Sequence, residues 1–190
     1  MVEPRYGLVD KLGARLAALA VRTSGRAASE LAADGIYGFW LMHEYFGMFS
    51  VLLFTKAGLL RAVERHPTET VDRLRWAIHW PDGSDLDDPQ LRLLVGALDS
   101  VVRTAAEPER SELLLRVERA CLLALQQVRE SHVLDEGVVL ALGGVEQALE
   151  ETYCYAEQLC SPRTLARLRS QLPWLNWRHV DQFRTNVARL

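Results

Sequence analysis

The chain is poor in the features that announce chemistry. Its three cysteines, Cys121, Cys154 and Cys160, are odd in number and too few for a disulfide framework, so reduced, buried thiols are expected. Cys154 and Cys160 also miss the short Cys-x₂₋₄-Cys frames of structural zinc sites, and the histidines that would complete one, His132 and His179, are far apart in sequence. Lysine is confined to Lys11 and Lys56, so the positive charge is almost entirely arginine. With a formal net charge of −3 there is no global basic footprint for nucleic acid, and no nucleic-acid partner is expected. The G-x-S-x-G elbow, the Walker loop and the dinucleotide-binding glycine motif are all missing, so no catalytic residue, cofactor or metal site is named. The opening MVEPRYGLVDKLG has neither the apolar core nor the small-residue cleavage site of a signal peptide, and the expected location is cytoplasmic.

A long hydrophobic run is also lacking, although residues 35–56, GIYGFWLMHEYFGMFSVLLFTK, come close. His43 and Glu44 fall near the middle of that stretch, where an ionisable side chain costs roughly 2.5–3.5 kcal/mol in a bilayer, and no cluster of Lys or Arg flanks it. No membrane partner is therefore expected. A single helix fits poorly as well, because Gly38 and Gly47 would each cost roughly 1 kcal/mol in its interior. The β-branched and aromatic residues Ile36, Tyr37, Phe39 and Trp40, then Phe49, Val51 and Phe54, suit two paired strands joined through residues 43–47.

What is present is ordinary globular material: 190 residues, 49% hydrophobic and 25% charged, expected to form a single domain over 1–190 with 173–190 as a docked C-terminal tail. Leu8, Leu12, Leu16 and Leu19 predict a first helix, with a weak point at Thr23-Ser24-Gly25. Thr55 caps a short helix that Pro67 stops, and the chain around RLRWAIHWP reads as extended. Asp88-Pro89 starts a helix carrying Leu91, Leu94, Leu98 and Val101; Pro108 opens another with Leu114, Val117, Cys121, Leu125 and Val128. Residues 138–142, VVLAL, read as a buried strand joining the hairpin's sheet. Residues 146–158 are helical in composition, with an extended alternative at 152–155, and Ser161-Pro162 starts a further helix. The fold class is α+β: a small mixed or antiparallel sheet, with a hairpin at about 36–54 and a strand near 138–142, packed against several helices.

This order of elements, carried by IYGFWL, TKAGLLRAV, RWAIHWP, VVLAL and QLCSPRTL, resembles the DUF4303-like family of uncharacterised bacterial proteins over residues 8–172. The chain departs from it in a short hairpin tip, His43-Glu44-Tyr45, and in Gly143-Gly144 where an acidic turn is usual. The resemblance implies an α+β domain of unknown activity, associated with bacterial conflict systems in which small proteins neutralise toxins by binding them.

Three groups of residues invite a functional reading. His43-Glu44 is an acid–base pair in type, yet neighbours on a strand point to opposite faces, and a hairpin tip explains them. The acidic loop of residues 81–88 offers oxygen ligands for Ca²⁺ but misses the EF-hand spacing, and a solvated loop that caps the next helix is the simpler account. Trp76 and Trp80, alternating about Ile78, form one face of an extended segment leading into Asp82, Asp85, Asp87 and Asp88. Either that face covers the core, or it is a binding edge whose aromatic anchors and carboxylates take a basic protein partner. The expected function is a non-enzymatic protein-binding domain of immunity type. Self-association through the apolar tail at 174–183, giving a homo-oligomer, and an enzyme of unrecognised type are the alternatives.

Overall fold

Leu12, Leu16 and Leu19 line the buried face of one long helix, α1 (Glu3–Glu30), in a computed structural model that describes residues 3–43, 49–76, 88–143 and 149–187. The weak point expected at Thr23-Ser24-Gly25 does not interrupt it. Thr23 and Ser24 are fully buried, and the Ser24 hydroxyl donates to the Val21 carbonyl at 2.8 Å, so it folds back along the helix instead of competing with it.

The hairpin is formed as its composition predicts. Strands β1 (Ile36–His43) and β2 (Phe49–Thr55) pair antiparallel, with Trp40 opposite Leu52 and an irregularity between Ile36 and Gly38. Strand β3 (Val139–Gly143) joins β1 in parallel, Trp40 facing Ala141, which gives a mixed sheet in the order β2-β1-β3. The α+β reading therefore holds.

Helix α2 (Lys56–Arg65) starts where Thr55 accepts the Gly58 N–H at 3.0 Å. The extended reading of residues 73–81 needs correction at its start, while 77–81 lie outside the described residues. Residues Val71–Arg75 form a short helix, α3, because the Thr70 hydroxyl accepts the Arg73 N–H at 3.3 Å and caps it. Helices α4 (Pro89–Arg103), α5 (Glu109–Glu130), α6 (Leu149–Leu159) and α7 (Pro162–Gln171) begin close to their sequence signals, and α8 (Trp177–Val187) follows. Residues 152–155 are helical within α6.

Strand alternation divides the sheet into two apolar faces. Trp40, Val139 and Ala141 meet Thr152 and Ala156 of α6 and Leu168 of α7. Phe39, Leu41, Val51, Leu53, Leu140 and Leu142 supply the other face, toward α4 and α5, and all six are buried. Helix α1 covers α4 and α5 and runs parallel to α5, as the sequence of contacts Arg5–Glu109 at 2.8 Å, Tyr6–Glu112 at 2.9 Å and Asp10–Arg116 at 3.4 Å shows. Their axes approach closely at Gly13, where a Cβ would stand 2.8 Å from that of Ala120. On the other side α8 lies against α6, with the Tyr153 and Trp177 rings edge to face at 5.3 Å and the Cys154 thiol donating to the Val180 carbonyl at 3.4 Å. Among the described residues no helix is long and apolar enough to cross a membrane.

The outer edge of β3 and the turn before it are closed by side chains. The Cys160 thiol takes the Leu140 N–H at 3.3 Å and donates to the Leu140 carbonyl at 3.4 Å. Arg129, in the last turn of α5, donates to the carbonyls of Val138 at 2.7 Å and Leu159 at 3.1 Å. Thr164 and Arg167 of α7 donate to the carbonyls of Glu136 and Gly137.

Two glycines behave oppositely. A Cβ on Gly38 would meet Phe54 Cδ2 at 2.9 Å and Trp76 Cζ3 at 3.0 Å, whereas one on Gly25 meets nothing within 4 Å. Gly38→Ala is expected to lower the free energy of unfolding by about 1–3 kcal/mol through overpacking. Gly25→Ala is expected to raise it by roughly 0.5–1 kcal/mol through helix propensity. Urea unfolding of both variants checks the pair, and a neutral Gly38→Ala would contradict the tight aromatic packing described for β1.

Candidate functional site

Of Trp76, Trp80, Asp82, Asp85, Asp87 and Asp88, the described residues include Trp76 and Asp88; the other four, with Glu44 of the hairpin tip, lie outside them. Trp76 is 2% exposed. Its indole stacks on Trp40 with centroids 5.4 Å apart and planes 4° from parallel, and it meets Tyr37 edge to face at 5.2 Å. The Tyr37 hydroxyl donates to the Arg75 carbonyl at 2.8 Å and holds the end of α3 in place. An anchor for a partner must be accessible before binding. Trp76 is instead part of the core, the simpler of its two sequence readings.

Asp88 is buried too, at 4% exposed. Its carboxylate accepts the Gln90 and Leu91 N–H groups at 2.9 and 3.2 Å and the Arg22 guanidinium at 2.8 Å, which caps α4 and ties it to α1. Burial works to raise its pKa; the Arg22 hydrogen bond and the two backbone N–H groups overcome that and leave the carboxyl below its ordinary value. Its charge is already satisfied within the fold.

The cysteines do not converge. Cys121 is fully buried in α5, Cys154 faces α8, and Cys160 closes the edge of β3. Burial raises the pKa of all three, so each is a thiol at neutral pH. Among the described residues no group of three His, Cys, Asp or Glu side chains is arranged to hold a metal ion.

The structure assembles a different cluster, where α5 meets α6. Glu118 of α5 and Glu151 of α6 are both half-buried and near enough for the charge of one to act on the other. Burial, and then the Glu151 charge, push the Glu118 carboxyl up to about 7. Burial also raises Glu151, against the opposing effect of the Tyr155 hydroxyl, which donates to its Oε1 at 3.4 Å. Cys121 lies one turn along α5, so an apolar wall and a phenol bound the two carboxyls. Burial and a like charge both favour the protonated form of Glu118. The sequence carried a signal for this site: Glu118 stands at helical spacing between Leu114 and Cys121, an acidic residue on an apolar stripe, and Glu151 precedes Tyr155 by one turn.

A second opening, of about 390 Å³, lies before α7 and is walled by Asp135, Glu136, Ser161, Arg163, Thr164 and Arg167. Both signs of charge line it, and Thr164 and Arg167 already bind backbone carbonyls there.

Comparisons with protein-family models, with curated proteins and with solved structures find no match to the chain. The DUF4303-like resemblance consequently adds no support to any site.

The Glu118 shift has a defined sign. A carboxyl whose folded pKa lies above its unfolded value stabilises the fold fully below about 4.5 and loses that contribution as pH rises through about 7. Between pH 5 and pH 8 the wild type is expected to lose about 1–3 kcal/mol more stability than Glu118→Gln, which cannot ionise. Urea unfolding at both pH values measures this, and parallel profiles for the two proteins would remove the like-charge pair.

Proposed function

We propose that the chain is a non-enzymatic protein-binding domain for a basic partner, and that Glu118 and Glu151 receive a lysine or arginine of that partner. The observation that carries this reading is the half-buried like-charge pair between α5 and α6. A cation placed against the two carboxylates would offset their repulsion and add to affinity where both are ionised, and it would displace the Glu118 proton to solvent, at a cost in affinity, where that carboxyl is protonated. A basic toxin neutralised by direct binding is a partner that such a site would suit. A carboxyl near 7 is also what proton transfer uses, so the same pair supports a second reading, general acid–base work on a bound small molecule.

Capture from a bacterial lysate with the full chain, in parallel with Glu118→Gln/Glu151→Gln, separates the readings. Partner binding is expected to be at least about tenfold weaker in the double variant, to weaken further in wild type as pH falls below 6, and to involve a basic protein. Equal capture by both proteins would sink the binding site.

A further inference from the structure

The opening of about 390 Å³ before α7 shares no wall residue with the Glu118–Glu151 pair, and it carries charges that the fold leaves unused. Asp135 and Glu136 reach it from the turn before β3, and Arg163 and Arg167 from successive turns of α7. Among the described residues neither the Glu136 carboxylate nor the Arg163 guanidinium has a hydrogen-bond or ion-pair partner. Asp135 and Arg167 do not pair with each other either, because both are anchored to the backbone of Gly137. The Asp135 carboxylate accepts the Gly137 N–H at 3.1 Å, and Arg167 donates to the Gly137 carbonyl. A Cβ on Gly137 would stand 3.6 Å from Asp135 Oδ1 and 3.5 Å from Arg167 Nη1. The missing side chain thus leaves a gap flanked by a carboxylate and a guanidinium.

Fixed charges of both signs around one opening select a ligand that carries both. A lone anion would meet Asp135 and Glu136, and a lone cation would meet the two arginines. A zwitterion satisfies all four groups, and a guanidinium matches a carboxylate through two parallel N–H bonds. We propose that this opening binds a free amino acid, its carboxylate on Arg163 and Arg167 and its ammonium on Asp135 and Glu136. The volume exceeds what the ammonium and carboxylate need, so the ligand's side chain fits within it. Gly137 already holds two of the four charged groups, and binding has only Glu136 and Arg163 left to order. All four side chains are exposed, which sets a modest affinity that falls with added salt.

The test titrates the full chain, labelled with ¹⁵N, with each standard free amino acid, with its N-acetylated and carboxyl-amidated forms, and with inorganic phosphate. At least one free amino acid is expected to shift the Gly137 and Thr164 amide signals saturably, with a dissociation constant at or below about 1 mM. Each capped form keeps one of the two charges and is expected to bind at least about tenfold more weakly. Arg163→Gln and Glu136→Gln are each expected to cost at least about tenfold in affinity at an unchanged melting temperature, since the fold uses neither side chain. Gly137→Ala, whose Cβ would meet its neighbours at ordinary contact distance, is expected to fold and to bind more weakly by filling the gap. No saturable shift with any amino acid, a capped form or phosphate that binds as tightly, or full affinity in both charge variants overturns the site. None of these outcomes bears on the Glu118–Glu151 pair.

Discussion

A buried strand at the edge of a sheet has to satisfy its backbone on two sides, and β3 has a strand on one side only. Residues Val139 to Leu142 are fully buried, so an open edge there would leave peptide groups without water. Arg129, Cys160, Thr164 and Arg167 supply the missing partners for β3 and the turn before it. They come from the end of α5, the residue after α6, and α7. Closing this edge therefore fixes three helices against the sheet at once. Glu151 and Thr152 take their positions from it, since both ride on the first turn of α6. An arginine is apt at position 129, because its planar fork reaches several carbonyls together where a lysine would reach them as a point charge.

The opposite end of the sheet depends on space instead of hydrogen bonds. Gly38 leaves room on β1 for the Phe54 and Trp76 rings, and Trp76 in turn lies flat on Trp40. A tryptophan near an acidic segment resembles a binding anchor when read along the chain. Here the missing Cβ opposite it supplies a cavity-sized reason for its burial, and the aromatic residue becomes a lock between α3 and the sheet. Asp88 follows the same logic: a carboxylate in an acidic run is taken up by a helix N-terminus and Arg22.

Against these satisfied groups, Glu118 and Glu151 stand out. The charged contacts described at helix seams pair opposite signs, from Arg5–Glu109 to Arg184–Glu157, whereas the charge of Glu151 works against ionisation of Glu118. Desolvation and mutual repulsion both disfavour their ionised forms. Burial and the neighbouring charge therefore make Glu118 a carboxyl whose ionisation responds to pH near neutrality.

Local chemistry was legible from the residues themselves. The hairpin followed from β-branched and aromatic residues interrupted by His43 and Glu44, the buried strand from five apolar residues between glycines, and the starts of α2, α4 and α7 from Thr55, Asp88 and Ser161 as capping groups. Capping and strand alternation act within a few residues, so the chain specifies them without reference to its fold. Where the linear reading failed, a distant partner decided. Thr23 and Ser24 stay helical because α1 is buried there, and Trp76 is interior because Gly38, far away in sequence, makes room for it. Glu118 is marked in the sequence by its place on an apolar stripe, but the second carboxyl that acts on it comes from α6. Desolvation and like-charge repulsion act through space between elements, and only the packing of α5 on α6 brings them into being.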